Sequence, residues 1–250
     1  MNTEELINRL ERSSVDYIQD YENMLDEKTC DYFIKRWKDF DKDGITEKGR
    51  HNDLSEDGKI ITEADESKKL SKDIFLSSNS KVEGVFNMHD NDKDKEMFQN
   101  LSHAINKAVY MYSLHAGLET KQFMGISQGF FSKLFKDEKK LPNINMNLAV
   151  EGVCLRKYKK NKGGYYSPHY DAHSNLYRLL AIIVYLNDVK FGGETSFPVL
   201  KRAIRPKKGN IVVFPSNFNY VHYGRIATSD KYVVVSHILR IPENQNKEKE

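Results

Sequence analysis

The densest grouping of chemistry-bearing residues in the chain is His169-Tyr170-Asp171, set in a β-prone run. Alternation along a strand puts His169 and Asp171 on one face, so an imidazole and a carboxylate can converge on one ion. A metal needs a further ligand, and His222 supplies a candidate in the later strand-like segment Tyr220-Val221-His222-Tyr223. Two imidazoles and one carboxylate on one face of an ion leave three positions open, the arrangement through which non-haem Fe(II) activates oxygen. Zinc is more often enclosed by a closed tetrahedral set. A bare His-x-Asp pair recurs by chance, so its company in the chain has to carry the reading.

A second acidic pattern competes for attention. Asp39, Asp41, Asp43 and Gly44 match the opening of a calcium-binding loop, but the twelfth position, which should be a bidentate Glu, is Arg50. The expectation is a solvated acidic loop. Cys30 and Cys154 are isolated, which argues against a disulfide scaffold or a cysteine-based zinc site and makes each a small core residue.

The elements that must position the His and Asp residues follow from periodicity. From Asp26 to Trp37 the apolar residues Cys30, Phe33, Ile34 and Trp37 recur at helical spacing, with Asp26 placed as N-cap. A second apolar stripe runs Phe98, Leu101, Ile105, Ala108, Val109 and Tyr112, with Gly117 as its stop. The charged stretches Asp39 to Glu66 and Ser77 to Lys95 read as loops. After Met146 the period changes to that of strands: Glu151–Tyr158, Tyr166–Asp171, Arg178–Leu186, Glu194–Phe197, Asn210–Phe214, Tyr220–Tyr223 and Lys231–Leu239. Gly163-Gly164, Asn187-Asp188, Gly192-Gly193 and Lys208-Gly209 mark turns between them. Short strands at this spacing suggest an α+β protein with a jelly-roll core and the earlier helices packed outside it. In domain terms, residues 1–145 are expected to be a helical support region, 146–241 the catalytic core of the same domain, and 242–250 a disordered tail.

Composition narrows the function classes. Hydrophobic residues are 39% of the chain, below the ~45–50% usual for globular proteins, and charged residues are 30%. The net charge of +3 hides a division, because residues 151–241 hold 15 Lys and Arg against 5 Asp and Glu. The partner of that half is therefore expected to be an anion. No apolar run approaches the ~18 residues of a membrane span, and Glu4, Glu5 and Glu11 stand where a signal peptide would be basic. The expectation is a soluble cytoplasmic protein with no membrane partner.

Set in order, Tyr166-Ser167-Pro168-His169-Tyr170-Asp171, Tyr185-Leu186-Asn187, Gly192-Gly193-Glu194-Thr195-Ser196-Phe197-Pro198, Pro206-Lys207-Lys208-Gly209 with Phe214-Pro215, His222, and Lys231-Tyr232 form a series. This series resembles the catalytic core of the prolyl 4-hydroxylase family of Fe(II)/2-oxoglutarate-dependent dioxygenases. The resemblance implies a double-stranded β-helix with His169, Asp171 and His222 as iron ligands. It implies Fe(II), 2-oxoglutarate, O2 and ascorbate as cofactors and cosubstrates. Lys231, nine residues after His222, would anchor the distal carboxylate of 2-oxoglutarate, with Arg225 as competitor. Tyr185 would also meet the distal carboxylate, Tyr158 the iron-chelating end, and Thr195 the pocket wall. His237 stands where the family often has Trp and would line the pocket. His51, His89, His103, His115 and His173 have no comparable company.

The implied reaction is hydroxylation of an unactivated C–H bond with release of succinate and CO2, on peptidyl proline first. The segment Lys157 to Gly164, with Lys157, Lys159, Lys160 and Lys162, could meet an acidic peptide or protein substrate, and Ser77 to Lys95 could cover the site. Two alternatives stay open. One is an oxygenase acting on another side chain, a free amino acid or a nucleic acid. Nucleic acid is disfavoured because Lys231 to Arg240 carries only its two end charges. The other is a non-catalytic β-barrel binding module.

Overall fold

The structure is a computed structural model and describes residues 17–54, 60–77, 85–88, 91–116, 147–161, 166–172 and 177–241. The tail 242–250, Gly117, Lys162 and Gly163-Gly164 lie outside the described residues.

Strand β1 (Gln19–Tyr21) leads into helix α1 (Glu27–Lys42). The Asp26 carboxylate accepts from the backbone N–H of Thr29 at 2.8 Å and from its hydroxyl at 2.7 Å, closing the first turn as an N-cap. Helix α1 runs one turn past Trp37, because Phe40 continues the apolar stripe and is buried with Cys30, Phe33 and Trp37.

The stretch Asp39 to Glu66, expected as loop, begins as the end of α1 and then forms β2 (Glu47–Lys48) and the hairpin β3 (His51–Leu54) with β4 (Ile60–Glu63). In this stretch Asp41 Oδ1 accepts from the Thr46 hydroxyl at 2.6 Å and the Lys72 ammonium at 2.7 Å. β5 (Lys72–Ser77) and β6 (Val85–Asn87) follow, and helix α2 (Asp92–His115) starts within the second expected loop. Asn91 caps α2, accepting from the Asp94 N–H at 2.8 Å. The region before residue 146 is therefore not helical alone: strands within it join the main sheet.

From β7 (Asn147–Val150) onward the chain is β-rich, with β8 (Val153–Tyr158), β9 (Tyr166–His169), β10 (Arg178–Tyr185), β11 (Thr195–Phe197), β12 (Arg202–Ile204), β13 (Ile211–Pro215), β14 (His222–Gly224) and β15 (Lys231–Ile241). The large sheet runs β1-β13-β10-β15-β8-β5-β2, with β7 on β15 and β6 on β5; β9, β14, β11 and β12 form a smaller sheet. Every pairing is antiparallel except β5 with β6.

Alternation decides which face each strand residue serves. Leu155, Ile182, Val184, Val213, Tyr232 and Val234 share one core with Trp37 of α1 and Leu101 and Ile105 of α2. Tyr158, Ala181, Tyr185, Val212, Phe214 and Val233 point the other way and pack with Phe197 and Ile204 of the smaller sheet. Helices thus cover one face of the large sheet, and the smaller sheet covers part of the other.

Candidate metal centre and cosubstrate pocket

The inward face of the large sheet carries an unusual set of residues for a core. On β15 it presents Lys231, Val233, Val235 and His237; on β8 it presents Cys154, Arg156 and Tyr158. The ladder sets Lys231 opposite Tyr158 and Val233 opposite Arg156.

His169 ends β9 and His222 begins β14, and these two residues are direct partners in the ladder. Their rings lie 4.3 Å apart between centroids. Asp171 was expected inside the strand with His169. It lies just beyond it, because the Asp171 and Ala172 N–H groups turn to the Ser216 carbonyl, at 3.2 and 2.9 Å. The carboxylate still returns to the imidazoles: Asp171 Oδ1 is 3.8 Å from His169 Nε2, and Oδ2 is 3.6 Å from His222 Nε2. One ligand atom from each of the three lies within 4.8 Å of the others, a spacing that suits a shared ion.

The tautomers fit that use. His169 Nδ1 is 2.7 Å from the Ser167 carbonyl and His222 Nδ1 is 3.1 Å from the Tyr220 carbonyl. A carbonyl only accepts, so both Nδ1 atoms carry the proton and both Nε2 lone pairs face Asp171. Burial pushes both imidazoles below their usual pKa, His169 to about 3, which favours the neutral form a metal requires.

Lys231 lies deeper in the same cavity. Its side chain is buried, and Nζ donates to the Gly193 carbonyl at 2.9 Å. Among the described residues no carboxylate forms an ion pair with it. Burial first, and the Arg156 charge second, lower its pKa to about 7. Such a site accommodates an anion, which would offset the cost of burying the ammonium. Arg225 is exposed and rests on the Tyr223 ring, so it does not compete for this position. Gly192 and Gly193, at φ +71° and +73°, shape the turn that supplies the carbonyl; a Cβ on Gly192 would stand 2.1 Å from the Ile226 carbonyl oxygen.

Residues 153–238 match the family model described as the 2OG-Fe(II) oxygenase superfamily. The match covers about a third of the chain. A probable prolyl 4-hydroxylase 11 of Arabidopsis thaliana is 31% identical over 90 residues, covering 33% of this chain and 32% of that protein. The chain thus matches about a third of the length of that curated relative. Among solved structures, a Trichoplax adhaerens prolyl hydroxylase in complex with a hypoxia inducible factor oxygen degradation domain peptide fragment aligns at 12% identity. Its TM-score is 0.59, over 100% of this chain and 98% of that one. A Pseudomonas putida prolyl-4-hydroxylase aligns at 14% identity and TM-score 0.52, over 94% and 99%. At these identities the likeness is one of fold.

In the matched segment the other expected residues take distinct places. Tyr158 and Thr195 line the cavity with Lys231. Tyr185 is fully buried one layer behind, its hydroxyl 2.8 Å from the Thr195 hydroxyl. Its reach toward a ligand is through Thr195.

His237 lies at the metal end of β15. Its Nδ1 is 2.5 Å from Glu151 Oε2 and its Nε2 is 3.6 Å from Asp171 Oδ1. Burial opposes the charged imidazole, but Asp171 and Glu151 outweigh it and raise the His237 pKa. Glu151 is held in turn by Arg178, at 2.7 and 2.9 Å. Burial would raise the Glu151 pKa, and hydrogen bonds from His237 and Arg178 reverse this to about 2.

Sequence reasoning did not identify Arg156, Asp73, Lys69, Glu151 or Tyr166. Tyr166 stacks on His169 at 3.5 Å between centroids. Strand alternation places Arg156 on the face of Tyr158, and that signal was available. Outside the metal face opens a groove of about 880 Å³, whose walls include His169, Asp171, His237, Arg178 and Phe75.

Of the lysine run, Lys162 lies outside the described residues. Lys157 faces the helices, 2.8 Å from Asp230 and within 4.9 Å of the Trp37 ring, so its charge is already paired. Elsewhere His51, Glu63 and Asp65 also lie close enough to share an ion, although Asp65 Oδ1 already accepts from the Ser67 N–H and hydroxyl. None of the described helices is long and apolar enough to cross a membrane.

Proposed function

We propose that the protein is a 2-oxoglutarate-dependent dioxygenase that hydroxylates peptidyl proline at C4, with its two packed sheets forming a double-stranded β-helix. The observation that carries this reading is the convergence of His169, Asp171 and His222 beside a buried Lys231 with no carboxylate partner among the described residues. The matched superfamily implies Fe(II), 2-oxoglutarate and O2. The names of the relatives support proline as the target.

His169 Nε2, His222 Nε2 and the Asp171 carboxylate would hold the iron. Bound Fe(II), with 2-oxoglutarate and O2, supplies oxidation of a C–H bond to C–OH as the oxo acid is converted to succinate and CO2. Lys231 meets the distal carboxylate and fixes its depth in the cavity, with Thr195 beside it and Tyr185 holding Thr195. Val233, Val235, Ile183 and Phe214 keep the walls apolar, which limits water at the reacting centre. The adjoining groove offers room for an extended chain alongside the metal face.

The test is anaerobic binding of Fe(II) and 2-oxoglutarate to wild type, His169→Ala and Lys231→Ala, followed by turnover of proline peptides. Loss of metal in the first variant, loss mainly of the oxo acid in the second, and one added oxygen on proline by mass spectrometry are expected. Succinate formation with other substrates but none with proline peptides would redirect the substrate assignment. Failure of the wild type to bind 2-oxoglutarate with Fe(II) present would overturn the reading as a whole.

A further inference from the structure

The cavity holds a second cation that neither the metal triad nor Lys231 explains. Arg156 lines it from β8, with its side chain 11% exposed. Its Nε donates to both Asp73 carboxylate oxygens, at 2.9 and 3.0 Å. Its terminal nitrogens have weaker partners among the described residues: the Tyr158 hydroxyl at 3.4 Å and the Cys154 sulfur at 3.7 Å. A guanidinium carries five N–H donors, so these contacts leave two without a partner and two only weakly engaged among the described residues.

The charge balance points the same way. Asp73 is shared, since the buried Lys69 ammonium also lies 2.9 Å from it. Asp73 therefore divides its charge between two cationic side chains, and Lys231 stands nearby as a third. Burial would raise the Asp73 pKa, but Arg156 and Lys69 bring it to about 2, so the carboxylate is charged and fully used. One carboxylate does not neutralise both of its cations, and Lys231 forms no ion pair with a carboxylate among the described residues, so this end of the cavity favours an anion.

Position along the strands assigns the ends. Arg156 lies opposite Val233, two residues from Lys231 toward His237 and the metal. Two strand residues span roughly 6.6 Å, and a five-carbon diacid is about 5 Å from end to end at ordinary bond lengths. The register therefore spaces the two residues by about one oxo-diacid along the strands.

We propose that Arg156 is a second cationic contact for 2-oxoglutarate, meeting its oxo-acid end while Lys231 meets the distal carboxylate. This rests on the cosubstrate reading above and adds a residue to it. Arg156 selects for a dianion spanning two cations, and Asp73 sets the strength of the contact by competing for the guanidinium.

The experiment measures equilibrium binding of 2-oxoglutarate and of 2-oxopentanoate, which lacks the distal carboxylate, to the Fe(II)-loaded protein without oxygen. Isothermal titration calorimetry compares wild type, Arg156→Met, Lys231→Met and Asp73→Asn. Arg156→Met is expected to weaken both oxo acids by a similar factor, about tenfold or more, the size of a charge-assisted hydrogen bond. Lys231→Met is expected to weaken 2-oxoglutarate alone. Asp73→Asn frees the guanidinium and is expected to tighten both ligands, which a merely structural ion pair would not do. Should Arg156→Met fail to fold, Arg156→Lys and Asp73→Asn decide the question.

Wild-type binding with unchanged affinities in Arg156→Met, or weaker binding of both ligands in folded Asp73→Asn, would overturn the assignment while leaving the function standing. A wild type that binds neither oxo acid would remove both.

Discussion

The Lys231 ammonium lies 4.7 Å from the centroid of the Tyr158 ring, directly across the β15–β8 ladder from it. The ring face offers a partial negative charge and the Gly193 carbonyl one hydrogen bond, but neither replaces a counter-anion. The cavity therefore holds a cation that is only half compensated.

That imbalance predicts a pH dependence of cosubstrate binding. With the lysine pKa lowered to about 7, the ammonium is already charged below that pH, and 2-oxoglutarate affinity should be flat there. Above it, binding must recruit a proton, so affinity should fall toward tenfold for each pH unit. Calorimetry in buffers of different ionisation enthalpy should detect proton uptake near pH 8 in wild type, and none in Lys231→Arg. A wild-type affinity that stays constant from about pH 6 to about pH 9 would contradict the buried, uncompensated lysine.

The metal face makes a separate prediction. His169→Ala and His222→Ala should each weaken Fe(II) binding by more than about a hundredfold, since each removes one of the three proposed ligands. The fold should survive, because most of the described apolar core packs between the large sheet and the helices. Dialysis against a metal indicator, with near-ultraviolet circular dichroism as the fold control, separates the two effects. Retention of tight Fe(II) binding in either variant would remove that histidine from the ligand set.

His237 is expected to act as a positioning residue for Asp171. Glu151 grips Nδ1, which aims Nε2 at the Asp171 carboxylate and limits its rotation. His237→Ala should lower metal affinity by about 10- to 100-fold, the range for partners of metal ligands. His237→Gln should recover part of the loss. Equal Fe(II) affinities in all three proteins would show that the imidazole only fills space.

Much of this site was legible because its signals are local. Asp26 sits three residues before the N–H it caps, and strand alternation sorts Lys231, Val233, Val235 and His237 onto one face with no knowledge of the partner strand. What was hidden depends on distant pairing. Asp73 meets Arg156 across 83 positions and Glu151 meets His237 across 86, separations at which no periodicity connects residues. Strands β2, β3 and β4 were read as loop because charged residues fill that stretch, yet β2 pairs with β5 and β3 with β4. Asp171 was placed in a strand by composition, whereas hydrogen bonds to Ser216 draw its backbone out of the ladder.

Helix α1 matters to the cavity because it braces the opposite face of β8 and β15. Trp37, the chain's one tryptophan, is 2% exposed and meets Tyr232 of β15 edge to face at 5.6 Å. Trp37→Ala should cost about 3–5 kcal/mol in unfolding free energy, the usual range for emptying a large buried aromatic site. Asp26→Ala should cost about 1 kcal/mol, because it removes only the cap. Urea unfolding followed by far-ultraviolet circular dichroism gives both values, and Trp37 fluorescence in Asp26→Ala reports whether the helix still docks. Since the lost packing lies behind the strands that carry Arg156 and Lys231, Trp37→Ala should also loosen 2-oxoglutarate binding, whereas Asp26→Ala should not. Equal effects of the two substitutions on affinity would mean that the helix supports the fold without setting the geometry of the cavity.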